Sequence, residues 1–119
     1  MKNFKILLSA MVIMLSSVAA GQDIKPRFEK QGELIKGTYY YEDGSIKQEG
    51  TYKNGKLHGE WISYGQDGEK NALAQYHEGN KTGKWFFWND DILNEVDYKH
   101  NKIVQVRKYK NTEALVQSR

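Results

Sequence analysis

Ten residues, Tyr52-Lys53-Asn54-Gly55-Lys56-Leu57-His58-Gly59-Glu60-Trp61, return as Tyr76-His77-Glu78-Gly79-Asn80-Lys81-Thr82-Gly83-Lys84-Trp85, and Tyr98-Lys99-His100-Asn101-Lys102 opens a third copy. The tyrosines step by 24 and then 22 residues, and the two tryptophans are again 24 apart. Self-similarity at such a period marks a repeat architecture, in which each unit is one supersecondary element that buries its apolar side against its neighbours. A shorter echo sets Gly37-Thr38-Tyr39 beside Gly50-Thr51-Tyr52 and reads as an internal unit of its own.

The unit is a β-hairpin. Asn54-Gly55, Asp43-Gly44 and Asp67-Gly68 accept positive φ at tight turns, and the stretches between them have strand length and are rich in Tyr, Trp, Phe, Ile and Thr. Tyr64-Gly65-Gln66-Asp67-Gly68, Trp88-Asn89-Asp90-Asp91 and a shortened Tyr41-Glu42-Asp43-Gly44 fill one equivalent turn slot. Sequential hairpins build an antiparallel meander. The expected fold is all-β, an elongated single-layer antiparallel meander of hairpin repeats with about six or seven strands. Gly37, Gly50, Tyr52, Gly55, Gly59, Trp61, Gly68, Tyr76, Gly79, Gly83, Trp85 and Tyr98 are its structural repeat positions. Helical periodicity is weak, and residues 112–117 alone suit a short terminal helix or a tail.

Residues 40–70, YYEDGSIKQEGTYKNGKLHGEWISYGQDGEK, resemble the MORN-variant repeat family. Its Gly-x-Trp-x-x-Tyr strand is matched by Gly59-Glu60-Trp61-Ile62-Ser63-Tyr64, and its Gly-x-Tyr-x-x-Gly strand by Gly50-Thr51-Tyr52-Lys53-Asn54-Gly55. The resemblance runs over residues 32–102 and degenerates at both ends, where Asp91 replaces a turn glycine and Val104 a repeat glycine. It implies a twisted single-layer sheet used as an interaction scaffold. It also brings an antitoxin or immunity role into view, because some bacterial members carry that label.

The N-terminus reads differently. Lys2 and Lys5 precede an apolar run from Ile6 to Leu15, followed by Ser16, Ser17 and Val18-Ala19-Ala20. This is the grammar of a secretory signal peptide, and the run is short for a membrane span. The expected organisation is a signal peptide over 1–20, a linker over 21–31, a repeat domain over 32–110 and a tail over 111–119, with export to the periplasm or the extracellular space.

Cleavage after Ala20 would remove Lys2 and Lys5 and lower the formal charge from +3 to +1. So weak a positive field argues against nucleic acid as a partner. The chain has no cysteine, which excludes disulfides, thiolate metal sites, cysteine nucleophiles and lipid attachment through an N-terminal cysteine.

Chemistry-bearing residues follow the repeat. His58, His77 and His100 fall at turn positions, and turns one repeat apart are displaced by about 10 Å, too far for one metal ion. Asp90-Asp91 reads as a solvated turn, with Glu95 and Asp97 on a solvent face. Ser45 and Ser63 have no nucleophile elbow, and no phosphate loop is present. No enzymatic activity, cofactor or metal is expected.

The unusual feature is Trp85-Phe86-Phe87-Trp88. Strand alternation puts Trp85 and Phe87 on one face and Phe86 and Trp88 on the other, so both faces are aromatic. The equivalent strand likewise divides Trp61 from Ile62 and Tyr64. Either the N-terminal stretch 28–34, Ile103-Val104 or the stretch 114–116 folds across one face, with sheet curvature gathering aromatic neighbours, or a stripe of Tyr41, Tyr64, Phe86 and Trp88 binds a partner. The expected partner is a protein, with an envelope glycan or a membrane surface as alternatives. Lys47, Lys53, Lys56, Lys81, Lys84, Lys99 and Lys102 read as guards against edge-to-edge pairing.

Overall fold

The computed structural model describes residues 24–110, so the expected signal peptide and the terminal stretch 111–119 lie outside the described residues. Among the described residues nine strands occur: β1 (Arg27–Gln31), β2 (Leu34–Tyr40), β3 (Ile46–Lys53), β4 (Lys56–Tyr64), β5 (Lys70–His77), β6 (Asn80–Lys81), β7 (Gly83–Asn89), β8 (Ile92–Lys99) and β9 (Lys102–Tyr109). They form one antiparallel sheet in the order β1-β2-β3-β4-β5-β7-β8-β9, with β6 pairing the end of β5. The all-β single-layer meander is the architecture of the chain. β1 falls within the stretch expected to be linker: it pairs with β2 from Arg27 opposite Thr38 to Gln31 opposite Leu34. Its sequence lacks the glycine and tyrosine spacing that marks the other strands, so backbone pairing defines it.

Turn chemistry sets the two ends of the sheet. At one end, Asn54 and Gly55 have φ of 50° and 78°, Glu78 and Gly79 47° and 89°, and His100 and Asn101 50° and 69°. Two positive φ values in succession twist a two-residue loop in the sense the strands require. At the other end, Asp43 and Asp67 sit in wider loops. Their Oδ1 atoms accept the backbone N–H of Ser45 and Glu69 at 2.9 and 3.0 Å. Trp88 to Asp91 departs from that expected slot, because Asn89 lies directly opposite Ile92 and Asp90, at φ 56°, opens a two-residue turn.

The shorter echo has a different origin from the longer one. Gly37 and Gly50 are cross-strand partners on antiparallel neighbours, so they cannot be related by translation along the sheet. The translational unit holds two strands, as the 24-residue period requires.

Each unit carries a bulge. Glu49 faces Ile62 but Thr51 faces His58, so Gly59, Glu60 and Trp61 stand against Gly50 alone. One unit later, Leu73 faces Phe86 but Tyr76 faces Lys81. Gly59 and Gly83 supply the left-handed conformation at these points, with φ of 85° and 68°. The Trp61 indole Nε1–H donates to the Thr51 carbonyl at 2.9 Å, and that of Trp85 donates to the Gln75 carbonyl at 3.0 Å. The repeated glycine-x-tryptophan thus encodes a kink and the donor that satisfies a carbonyl beside it.

The bulges tip both indoles onto one face, which becomes the core. Tyr52, Leu57, Trp61, Ala74, Trp85 and Val96 are buried there, packed by Tyr39, Tyr76, Phe87 and Tyr98. Ring contacts run through it at centroid separations of 5.0 Å for Tyr52–Trp61, 5.1 Å for Tyr76–Trp85 and 4.9 Å for Trp85–Tyr98. The Lys81 ammonium sits 5.3 Å from both the Trp85 and the Tyr98 ring. Of the segments expected to fold across the sheet, stretch 28–34 and Ile103-Val104 instead belong to its two end hairpins, while 114–116 lies outside the described residues. Neighbouring rings cover one another.

Candidate functional site

Residues directly opposite in an antiparallel pair share a face, so the register defines the surface opposite the core. One lateral row crosses all eight positions of the sheet: Arg27, Thr38, Glu49, Ile62, Leu73, Phe86, Glu95 and Arg107. Its centre is an apolar strip of three half-buried side chains, Ile62, Leu73 and Phe86, one from each of β4, β5 and β7. A carboxylate closes each end of the strip.

Both carboxylates are neutralised. Glu49 Oε2 accepts the Tyr64 hydroxyl at 2.6 Å, and its Oε1 lies 3.5 Å from the Lys36 ammonium. Glu95, 9% exposed, takes Lys84 Nζ at 2.9 Å and Arg107 Nη1 at 3.0 Å on Oε2, with the Tyr109 hydroxyl at 3.3 Å from Oε1. Lys84 and then Arg107 hold the Glu95 carboxyl below the usual carboxylate range against its own burial. Glu95 and Asp97, expected on a solvent face, therefore belong to an ion-pair network around Lys84 and Arg107. Burial, followed by the bond to Glu49, pushes the Tyr64 hydroxyl up to about 12.

The four residues expected to form a partner stripe fall into two pairs. Phe86 and Trp88 stack at 6.1 Å with planes 28° apart, and Trp88 is opposite Leu93. Tyr41 donates its hydroxyl to the Tyr64 carbonyl at 2.7 Å, tying two successive wide loops together. All four are half-buried. Tyr64 joins the Phe86 face through Glu49, and Ile62 and Leu73 bridge the gap between the pairs. Leu73 is the member that sequence reasoning missed. Its strand has no aromatic in that position, and its alignment with Phe86 depends on the two bulges. The Trp88 Nε1–H is buried without a hydrogen-bond partner among the described residues.

His100 occupies a turn as expected, at φ 50°, whereas His58 and His77 fall within strands. His58 and His77 lie on adjacent strands, with ring centroids 5.1 Å apart. The estimate of about 10 Å counts whole repeats, whereas β4 and β5 are neighbours within the meander. His58 Nδ1 accepts the Glu78 backbone N–H at 3.1 Å, so the pair serves the hairpin turn. Among the described residues, no group of three or more His, Cys, Asp or Glu converges as metal ligands would.

Compared with known families, the chain matches no family model, and it matches no curated protein.

Proposed function

We propose that this is an exported, non-enzymatic interaction module that binds another protein through the face opposite its aromatic core. The observation that carries the reading is the apolar strip of Ile62, Leu73 and Phe86, extended by stacked Trp88 and bounded by two neutralised carboxylates. An apolar centre with a satisfied polar rim is the anatomy of a protein-binding patch. Aromatic anchors supply most of the binding energy in such patches. The MORN-variant resemblance supports a scaffold role.

Affinity capture from an envelope extract tests the proposal, comparing the wild-type protein with Phe86→Asp and with Lys30→Glu as a control, an exposed residue of β1 that the register places on the opposite, core face. A specific protein retained by wild type and control but lost with Phe86→Asp is the expected result. Equal retention by all three rejects the face.

The stacked Phe86–Trp88 pair favours a second reading, a platform for the apolar side of a sugar ring. Tryptophan fluorescence that does not change with envelope glycans removes it.

A further inference from the structure

We propose that the outer edge of β9 is a docking site for an extended acidic segment of another protein, added to the sheet as a further antiparallel strand. This site is separate from the apolar strip and rests on a different observation.

β9 ends the sheet order, and among the described residues β8 alone borders it. An edge strand turns the N–H and C=O groups of alternate residues outward, a template for another chain. At eight residues β9 is longer than the opposite edge strand β1, which has five. Every residue from Lys102 to Lys108 is exposed, with Ile103, Val104 and Val106 at 58%, 65% and 56%.

Charge decides what fits. From Lys99 through Lys110 the chain carries Lys99, Lys102, Arg107, Lys108 and Lys110 and no carboxylate. Arg107 is engaged by Glu95 and Asp97 of β8. Lys99, Lys102, Lys108 and Lys110 make no ion pair with any described residue. A second copy of β9 would set cation against cation, and like charges directly opposite destabilise a strand pair. The β1 edge is a poor match too, because its Glu29 is already paired with Arg27 and Lys30 adds a further cation. A strand alternating carboxylates with β-branched residues meets neither objection. Its apolar side chains cover Ile103 and Val106, which the register places opposite Tyr98 and Val96 on the core face, and its acids reach Lys102 on the other face, while Lys108, on the core face beside Val106, adds to the positive field of the edge. The register shift between Asp97 and Tyr98 bends β9 near its start, so the regular stretch from Gln105 to Tyr109 is where pairing begins.

The test is an NMR titration of the full chain with an eight-residue peptide alternating Asp or Glu with Val. An N-methylated version, a Lys-Val version and anionic phospholipid vesicles are run alongside. The acidic peptide is expected to shift and protect β9 backbone amides, and N-methylation to abolish the effect. The double variant Lys102→Glu, Lys108→Glu changes exposed side chains, retains the wild-type strand spectrum, and weakens binding about tenfold or more through reversed charge. Peptide binding without change at β9 amides, equal binding of the Lys-Val peptide, self-association through β9, or binding of vesicles with no binding of the acidic peptide would each overturn the proposal.

Discussion

The indole of Trp61 lies over the bare α-carbon of Gly50, so close that a Cβ built there would land inside the ring. The bulge at Gly59 brings the tryptophan across its neighbouring strand, and the missing side chain lets it lie flat. Gly50→Ala is therefore expected to displace the indole and lower stability by about 1–3 kcal/mol, the usual cost of overpacking a core. Urea unfolding measures this. An unchanged midpoint would show that the ring is not seated on Gly50.

Trp85 donates its indole N–H to the carbonyls of Gln75 and Thr82 at 3.0 and 3.1 Å. Trp85→Phe keeps an aromatic ring in the core but removes that donor. The expected loss is about 1–3 kcal/mol from unpaired carbonyls, beyond the effect of the smaller ring. Faster hydrogen exchange confined to the β5–β7 bulge would mark the hydrogen bond as the cause.

Glu78 holds a φ of 47° in a turn whose counterpart one repeat earlier is Asn54, at 50°. Asparagine tolerates this conformation better than glutamate. Its exposed ion pair with Lys53, at 3.7 Å, contributes little. Glu78→Asn should accordingly raise stability by about 0.5 kcal/mol, read as a higher melting temperature. A fall would give the ion pair more weight than the backbone.

Glu95 gives the protein a defined acid sensitivity. Its folded pKa is depressed below that of an ordinary glutamate, first by Lys84 and then by Arg107. The associated stability is fully present above that value and is lost as pH falls through the folded pKa. Thermal melts from neutral to acid pH should show a steeper decline for wild type than for Glu95→Gln. Parallel declines would place the acid response on other carboxylates.

Much of this molecule is readable from its residues. Asn54-Gly55 announces a hairpin because few dipeptides tolerate two positive φ values in succession, and Glu78-Gly79 is recognised only through its place in the repeat. The division of Trp85 and Phe87 from Phe86 and Trp88 follows from strand alternation, and their ring contacts obey it. The candidate face was legible in part. Phe86 and Trp88 stood out as aromatics, whereas Leu73 resembles any aliphatic residue until the register sets it between Ile62 and Phe86.

His58 and His77 show where a linear reading fails. Counting by repeats places turns two strands apart, yet consecutive strands of a meander are neighbours, and the two rings meet. Glu95 teaches the same lesson for charge. Alternation assigns it a face, but its burial depends on Lys84, Arg107 and Tyr109 converging from both adjacent strands.

The sequence alone determined the hairpin unit, its period and the alternation of faces, because turn φ and strand pleat are local properties of a few residues. Which face became the core, which residues align into one row across the sheet, and which carboxylates lost their water were decided by the tertiary structure. Those outcomes depend on register, and the bulges at Gly59 and Gly83 reset the register in a way that only pairing with the neighbouring strand makes definite.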